Sequence, residues 1–482
     1  MTTFLAALAI LILGYIFYGR FVERIFGVDP KRATPAYTQT DGVDYVPLPW
    51  WKIFLIQFLN IAGLGPIFGA ILGAAYGPIA FLWIVFGCIL AGAVHDYFSG
   101  MLSIRNEGAS IPEVVGKYLG TGFKQFMRGF TVLLMILVGA VFIVGPAGIL
   151  ASLTPDILSK TFWVYAVFIY YILATLLPID KVIGRIYPIF GAALLFMAVG
   201  IGAVLLIGDY NLVELNSETF RNMKADAGNF PAFPLLFVTI ACGAISGFHS
   251  TQNPLMARCL KNERLGRRVF YGAMVTEGVV ALIWAAAAMA FFGGVPQLNQ
   301  TLAEHQNDAA WVVKIISDTT LGKIGGVLAI LGVVAAPITS GDTAFRSARL
   351  IVADFLRIKQ KTIFNRLVVS IPLFVIGFTL TQFDFAIIWR YMAWSNQTLA
   401  TVVLWAITIY LQKEGKFYWL TLIPAVFMTA VIFNYILIAP EGFKLSQNIG
   451  YPVGIALAIV STVLFFTRLN WKIIRLVRRQ SS

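Results

Sequence analysis

The residues best suited to chemistry stand inside apolar runs. Ala336-Pro-Ile-Thr-Ser-Gly-Asp-Thr-Ala-Phe-Arg346 gathers the hydroxyls of Thr339, Ser340 and Thr343 around one carboxylate, Asp342. Hard cations take oxygen ligands, so Thr339, Asp342 and Thr343 are candidates for a sodium site. An Asp342–Arg346 pair at i,i+4 is the alternative. Glu277, in Thr276-Glu-Gly278, reads as a proton carrier or as a structural hydrogen-bonding group. His95-Asp96 closes another apolar run, with Asp96 either functional or a partner of loop amides or Arg105. His249 ends a glycine-rich stretch, as a functional group or a satisfied helix-end histidine. Trp394-Ser-Asn-Gln-Thr398 places Asn396 and Gln397 where they serve as interhelical glue or touch substrate. An ionisable side chain in hydrocarbon is expensive, so each is a functional candidate by default.

Two glycine-rich stretches must position these groups. The first, Asn60-Ile-Ala-Gly-Leu-Gly-Pro-Ile-Phe-Gly-Ala-Ile-Leu-Gly73, is apolar enough for a bilayer yet holds Gly63, Gly65 and Pro66. Proline has no N–H and disfavours helix at the residue before it, so the helix should unwind near Ala62–Pro66. Freed backbone groups at membrane depth are tolerated only inside protein or along a cavity. The stretch is therefore a binding-site candidate, with Asn60, Gly63 and Gly65 on the substrate side. A glycine face for close helix packing is the other reading. The second stretch, Ile240-Ala-Cys-Gly-Ala-Ile-Ser-Gly-Phe-His-Ser250, repeats the pattern with Gly243, Ser246, Gly247 and His249. Interrupted spans at matching positions of two halves point to a transporter's midplane site.

The chain of 482 residues is 59% hydrophobic and 12% charged. Long apolar runs recur to the end, which predicts an all-α polytopic membrane protein rather than an alternating β-barrel. Thirteen spans are expected, at 3–19, 50–72, 78–101, 127–152, 161–177, 186–208, 232–256, 269–293, 324–347, 365–381, 385–410, 417–438 and 451–468. The net charge of +13 does not indicate nucleic acid, because most basic residues fall in alternate short gaps between spans. These include Arg20 and Arg24, Arg105 to Arg128, Lys181 and Arg185, Arg258 to Arg268, Arg346 to Arg366, and a tail with Arg468, Lys472, Arg475, Arg478 and Arg479. That pattern predicts an outside N-terminus and a cytoplasmic C-terminus. Met1 to Tyr18 is expected to be a retained span, since no positive charge precedes its apolar run.

Setting the first span aside, the next ten divide five plus five with opposite orientation. The expected organisation is 1–49, an extra helix and cytoplasmic loop; 50–208, a first five-helix repeat; and 209–231, an outer loop. A second repeat follows at 232–410, then two further helices and a basic tail at 411–482. A surface helix is expected over Glu304–Ser317, with Trp311 and Ile315 on its apolar side. Cys88, Cys242 and Cys259 form no metal-type pair and read as small buried residues. No HExxH, paired cysteines or Gly-x-Ser-x-Gly occurs, so no enzyme activity is expected.

Five stretches together resemble the carbon starvation protein A family of bacterial inner-membrane transporters: Ile61-Ala-Gly-Leu-Gly-Pro66, Leu90-Ala-Gly-Ala-Val-His-Asp96, Thr239–His249, Asp342-Thr-Ala-Phe-Arg-Ser-Ala-Arg349 and Ser395-Asn-Gln397. The resemblance implies import of peptides or small carboxylates such as pyruvate. It also implies membership of the amino acid–polyamine–cation superfamily, with its LeuT-type inverted repeat and unwound first and sixth core helices. In that fold a sodium site commonly joins the first and eighth core helices. Here those would be the carbonyls of Ile61 and Ala62 and the Thr339–Thr343 cluster. The expected protein is thus an importer in the inner membrane, driven by Na+ or H+ and holding no organic cofactor. An amino-acid transporter, a channel and a nutrient-binding sensor are the alternatives. Ile56-Gln57 stand where familiar members carry a histidine pair, and the chain is a short form of the family.

Overall fold

The structure, a computed structural model, describes residues 1–480 except 152, 177, 178 and 361, and their side chains except those of 175–186, 323–330 and 468–480. The side chains of Lys181, Arg185, Lys323 and the basic tail, and the junction of the spans expected at 161–177 and 186–208, lie outside the described residues. Every described element is helical. Apolar runs must satisfy their own backbone groups in a bilayer, and a helix does so within one segment. The helices are α1 (Thr2–Phe26), α2 (Trp50–Ala62), α3 (Gly65–Ala74), α4 (Ile79–Arg105), α5 (Ile111–Leu119) and α6 (Thr121–Ala151). There follow α7 (Lys160–Leu176), α8 (Ile179–Ile207), α9 (Ala232–Thr239), α10 (Gly247–Ala257), α11 (Glu263–Phe291) and α12 (Val295–Glu304). The chain continues as α13 (Ala309–Leu356), α14 (Ile363–Leu380), α15 (Phe385–Lys413), α16 (Trp419–Ile438) and α17 (Gln447–Gln480).

The expectation of thirteen spans is corrected. Among the described residues eight helices are long and apolar enough to cross a membrane, nine if the bent pair α2–α3 counts as one. Four expected spans fail for different reasons. The helix α7 is short, at 17 residues. The span expected at 232–256 is two pieces, α9 and α10, separated by an irregular stretch. The one expected at 324–347 is part of α13 and opens in 323–330, which lie outside the residues whose side chains are described. The helix α15 carries Arg390 and the polar tract Ser395–Thr398 along its length. Hydropathy registers apolar runs; it does not register where the backbone breaks inside them.

The surface helix expected at Glu304–Ser317 is also redrawn. Glu304 ends α12, and α13 opens instead at Asp308, whose carboxylate accepts from the amides of Ala310 (2.9 Å) and Trp311 (3.2 Å). This is an ordinary N-cap, satisfying donors that have no intrahelical partner.

Buried polar contacts join the long helices. Pro146 inside α6 leaves the carbonyl of Phe142 without its helical donor. The Tyr171 hydroxyl of α7 supplies one at 2.7 Å and sits 3.2 Å from the Pro337 carbonyl of α13. One proline kink thereby fastens three helices.

The two ends of the bundle differ. At one end Arg105 binds Glu263 and the carbonyl of Gly27, Arg258 binds the carbonyl of Gly108, Arg267 binds Glu23, and Arg128 and Lys124 bind Glu113. At the other end Asn299 donates to the carbonyl of Ala75, Met223 N donates to Tyr76, and Gln447 donates to Gly228. The basic loops therefore converge on a single end.

Candidate functional site

The site is built on two helix breaks that face each other. After Ala62 the chain turns at Gly63 (φ 46°, ψ −138°), and α3 leaves at 54° to α2. A positive φ of this kind favours glycine, and the Phe142 ring fills the place a side chain would take, 2.7 Å from an ideal Cβ. The second break runs from Ile240 to Ser246 and turns at Gly243 (φ 89°). A Cβ on Gly243 would stand 2.5 Å from that of Ala281 and 3.8 Å from that of Pro66, while one on Gly65 would collide with the Cys242 side chain. The glycines of both stretches thus permit close approach as well as unwinding.

Freed backbone groups find specific partners. Ser340 Oγ donates to the Leu59 carbonyl at 3.1 Å, just ahead of the first break. Trp83 Nε1 donates to the Ile240 carbonyl at 2.9 Å, and Gln397 Nε2 to that of Phe237 at 3.1 Å. Asn396 Oδ1 accepts from the Phe248 amide at 2.6 Å, and its amide exchanges hydrogen bonds with the Ser246 hydroxyl at 3.1 and 2.9 Å. Asn60 contrasts with these. It is fully buried, and among the described residues neither its amide oxygen nor its nitrogen has a hydrogen-bond partner. Buried polar groups are normally satisfied, so each exception needs an explanation.

Asn396→Ala is expected to cost about 1–3 kcal/mol, because it strands the buried Phe248 amide and the Ser246 hydroxyl. A melting temperature in detergent equal to that of the wild type would contradict this.

Beside the second break lies a chain of ionisable side chains. His95 Nδ1 is 2.8 Å from Asp96 Oδ1, and His249 Nδ1 is 2.9 Å from Asp96 Oδ2. On the other side of the ring, His249 Nε2 stands 3.4 Å from Glu277 Oε2. All four residues are fully buried. Asp96 therefore turns to two histidines, while Arg105, its suggested loop partner, belongs to Glu263. Glu277, which has no local partner in sequence, lies beside His249. A second chain links Gln57 to Asn253 at 2.6 Å, and Asn253 to the Ser99 hydroxyl and the Asp96 carbonyl.

The Thr339–Thr343 cluster does not converge. Thr339 and Thr343 bond carbonyls of their own helix, at Ala336 (2.8 Å) and Ser340 (3.0 Å). Ser340 faces the first break, and Asp342 accepts from the Tyr187 hydroxyl of α8 at 2.7 Å. Residues two apart on a helix point about 200° from one another, so Ser340 and Asp342 address different neighbours. The other carboxylate oxygen of Asp342 is buried without a hydrogen-bond partner among the described residues.

Of the sequence candidates, Asn60, Ile61, Ala62, Gly63, Gly65, Gly243, Ser246, Gly247, His249 and Asn396 gather at the two breaks. Gln397 is turned to the end of α9. Of the ion-coupling candidates, Ser340 reaches the first break, Asp342 looks toward α8, and Glu277 joins His249. Cys242 and Tyr187 were not singled out. Cys242 reads as a small buried residue because its partners His249 and Glu277 become neighbours only through the break. Tyr187 carries no polar motif around it.

The family described as "Carbon starvation protein CstA" matches residues 1–156 and 151–324. An uncharacterized membrane protein of Haemophilus influenzae is 46% identical over 63% of this chain and 94% of its own length. The peptide transporter CstA of Campylobacter jejuni is 27% identical over 94% of this chain and 82% of its own. The crystal structure of MhsT with L-phenylalanine superposes with a TM-score of 0.55 at 15% identity, covering 85% of this chain and 98% of that one. The likeness supports the LeuT-type all-α fold.

Proposed function

The chain belongs to the carbon starvation protein CstA family, and from that premise we propose that it imports peptides or pyruvate-like small carboxylates by alternating access, coupled to sodium or protons. At the coarser level it is a multi-pass bacterial membrane protein and a secondary active transporter of small solutes, not an enzyme. The observation that carries the proposal is the meeting of two broken helices, Gly65 against Cys242 and Gly243 against Pro66, with the buried Asn60, unpartnered among the described residues, just ahead of the first break. Broken helices present free N–H groups and a positive dipole end, which suit an anionic substrate group.

On this reading substrate is held by Asn60, by the backbone at Gly63, Gly65, Gly243 and Gly247, and by Ser246 and Asn396, with Gln397 at the margin. A sodium ion would be held by the carbonyls of Ile61 and Ala62 with Ser340, whereas a proton would be carried by Asp342 on the α8 side of α13, where Thr339 and Thr343 bond carbonyls of their own helix. The halves 50–208 and 232–410 each open on a broken helix and move against one another, flanked by 1–49, 209–231 and 411–482. The basic end faces the cytoplasm, as the positive-inside rule requires, with the N-terminus outside and the C-terminus inside.

Uptake into proteoliposomes tests this. Labelled dialanine, alanine and pyruvate are offered under an imposed sodium or proton gradient. The expected result is accumulation of dialanine or pyruvate above equilibrium under one of the gradients. Asp342→Asn is expected to lower gradient-driven uptake at least about tenfold, equivalent to roughly 1.4 kcal/mol. Gly65→Leu, whose side chain would overlap Cys242, is expected to abolish it. Wild-type uptake by both variants sinks the site assignment. Alanine as the only substrate accumulated makes this an amino-acid transporter. Equilibration without accumulation makes it a channel, and binding without uptake makes it a sensor.

A further inference from the structure

The second break carries ligand chemistry that transport of an organic solute does not require. The Sγ of Cys242, a ring nitrogen of His249 and a carboxylate oxygen of Glu277 all lie within 4.8 Å of one another. His249 and Glu277 are fully buried, and Cys242 is 9% exposed. We propose that Cys242, His249 and Glu277 form a binding site for a divalent transition-metal ion of the zinc class.

The orientation of His249 is the first support. Its Nδ1 is engaged by Asp96 Oδ2 at 2.9 Å, and Asp96 is held in turn by His95 at 2.8 Å. A carboxylate that accepts from one imidazole nitrogen sets the tautomer and leaves the other nitrogen with a lone pair for a metal. That other nitrogen, Nε2, points toward Glu277 Oε2 at 3.4 Å. Among the described residues neither Nε2 nor either oxygen of Glu277 has a hydrogen-bond partner. With the proton on Nδ1, a lone pair faces a carboxylate in a buried site, so a positive charge belongs between them.

The donor set is the second support. Thiolate, imidazole and carboxylate together are the ligands of zinc-class ions rather than of sodium or calcium. Bond lengths of about 2.0–2.3 Å put the ligand atoms of a tetrahedral site about 3.3–3.8 Å apart. The His249–Glu277 separation of 3.4 Å falls in that interval. A divalent ion would balance the Glu277 carboxylate and the thiolate that Cys242 becomes when its thiol, which here donates to Ser246 Oγ at 3.6 Å, gives up its proton on binding. Three protein ligands leave one coordination position open, as in sites that engage a further ligand. Cys242 comes from the break, His249 from the first turn of α10 and Glu277 from α11, so the ion would pin the unwound stretch and the start of α10 to α11.

The test uses purified full-length protein in detergent, stripped with a chelator and titrated with Co2+. One ion per chain is expected, with the near-ultraviolet thiolate-to-cobalt absorption band. Cys242→Ser is expected to remove the band, while Cys88→Ser and Cys259→Ser keep it. Asp96→Asn is expected to weaken binding about 10–100-fold through the orientation of His249. Should the variants fail to fold, X-ray absorption at the cobalt edge of the wild type decides alone. One sulfur ligand and the remainder nitrogen or oxygen supports the site. The proposal is overturned if the wild type shows no stoichiometric binding, a sulfur-free coordination shell, or a thiolate band that survives Cys242→Ser.

Discussion

Gly247→Ala is expected to destabilise the protein by about 3 kcal/mol, the upper end of what overpacking a core costs. The methyl group would run into the carbonyl oxygen of Asn396 and stand 2.5 Å from the amide nitrogen of Ala400 and 2.6 Å from the Leu399 Cβ. The first two are backbone atoms of α15, which cannot rotate away as a side chain would. To make room α10 must withdraw from α15. That withdrawal also separates the Phe248 amide from Asn396, now 2.6 Å apart, so one methyl disturbs both the packing and the cap of the second break. Gly129→Ala is the control. It sits in α6 with nothing within 4 Å of its ideal Cβ, and an alanine there should stabilise the helix by about 0.5–1 kcal/mol. Thermal melts in detergent check both. Equal melting temperatures for the two variants would show that the close approach of α10 and α15 does not hold.

Arg105→Ala is expected to cost about 3–5 kcal/mol, the usual penalty for leaving a buried charge without its partner. Glu263 is fully buried at the basic end of the bundle. Arg105 grips it through Nε at 3.1 Å and Nη2 at 3.0 Å, donates to the Gly27 carbonyl at 2.6 Å, and lies 4.1 Å from the centre of the Phe26 ring. After the change the carboxylate keeps the Asp29 amide at 2.8 Å and a distant Arg32 at 3.9 Å. Arg105→Lys should recover little, since an ammonium reproduces neither the two-pronged grip nor the stacking. The double variant Arg105→Leu with Glu263→Leu should be less damaging than Arg105→Ala alone, because removing both charges avoids the stranded one. A double-mutant cycle on melting in detergent measures the coupling. A coupling near zero would show that the pair is incidental.

Both predictions rest on contacts between residues about 150 positions apart, and that distance separates what was legible from what was not. The membrane class is written in the composition, because a chain of mostly apolar runs has no other solvent to fold in. The places where helices fail are equally local: Gly63 and Pro66 in one stretch and Gly243 in the other act through φ angles and a missing N–H, and the structure breaks there. Motifs at those breaks also carried the family. The number of continuous spans was not legible, since a hydropathy profile runs on through the break at Ile240–Ser246.

Tertiary structure alone decided which side chains meet. Rotation about α13 sends Ser340 to the first break and Asp342 to Tyr187, although only one residue separates them in sequence. Asp96 lies nine positions from Arg105 but bonds His249, because α4 packs on α10 and Arg105 is drawn to Glu263. Cys242 and His249 are seven apart, a spacing that helical periodicity cannot interpret once the helix is unwound between them. Their meeting with Glu277 depends on where the break lets the backbone turn and how closely α11 approaches it. Sequence by itself thus determined the solvent, the family and the points of breakage, all of which follow from short-range chemistry. The composition of the site was left to packing, because its members are joined only after two broken helices have come face to face.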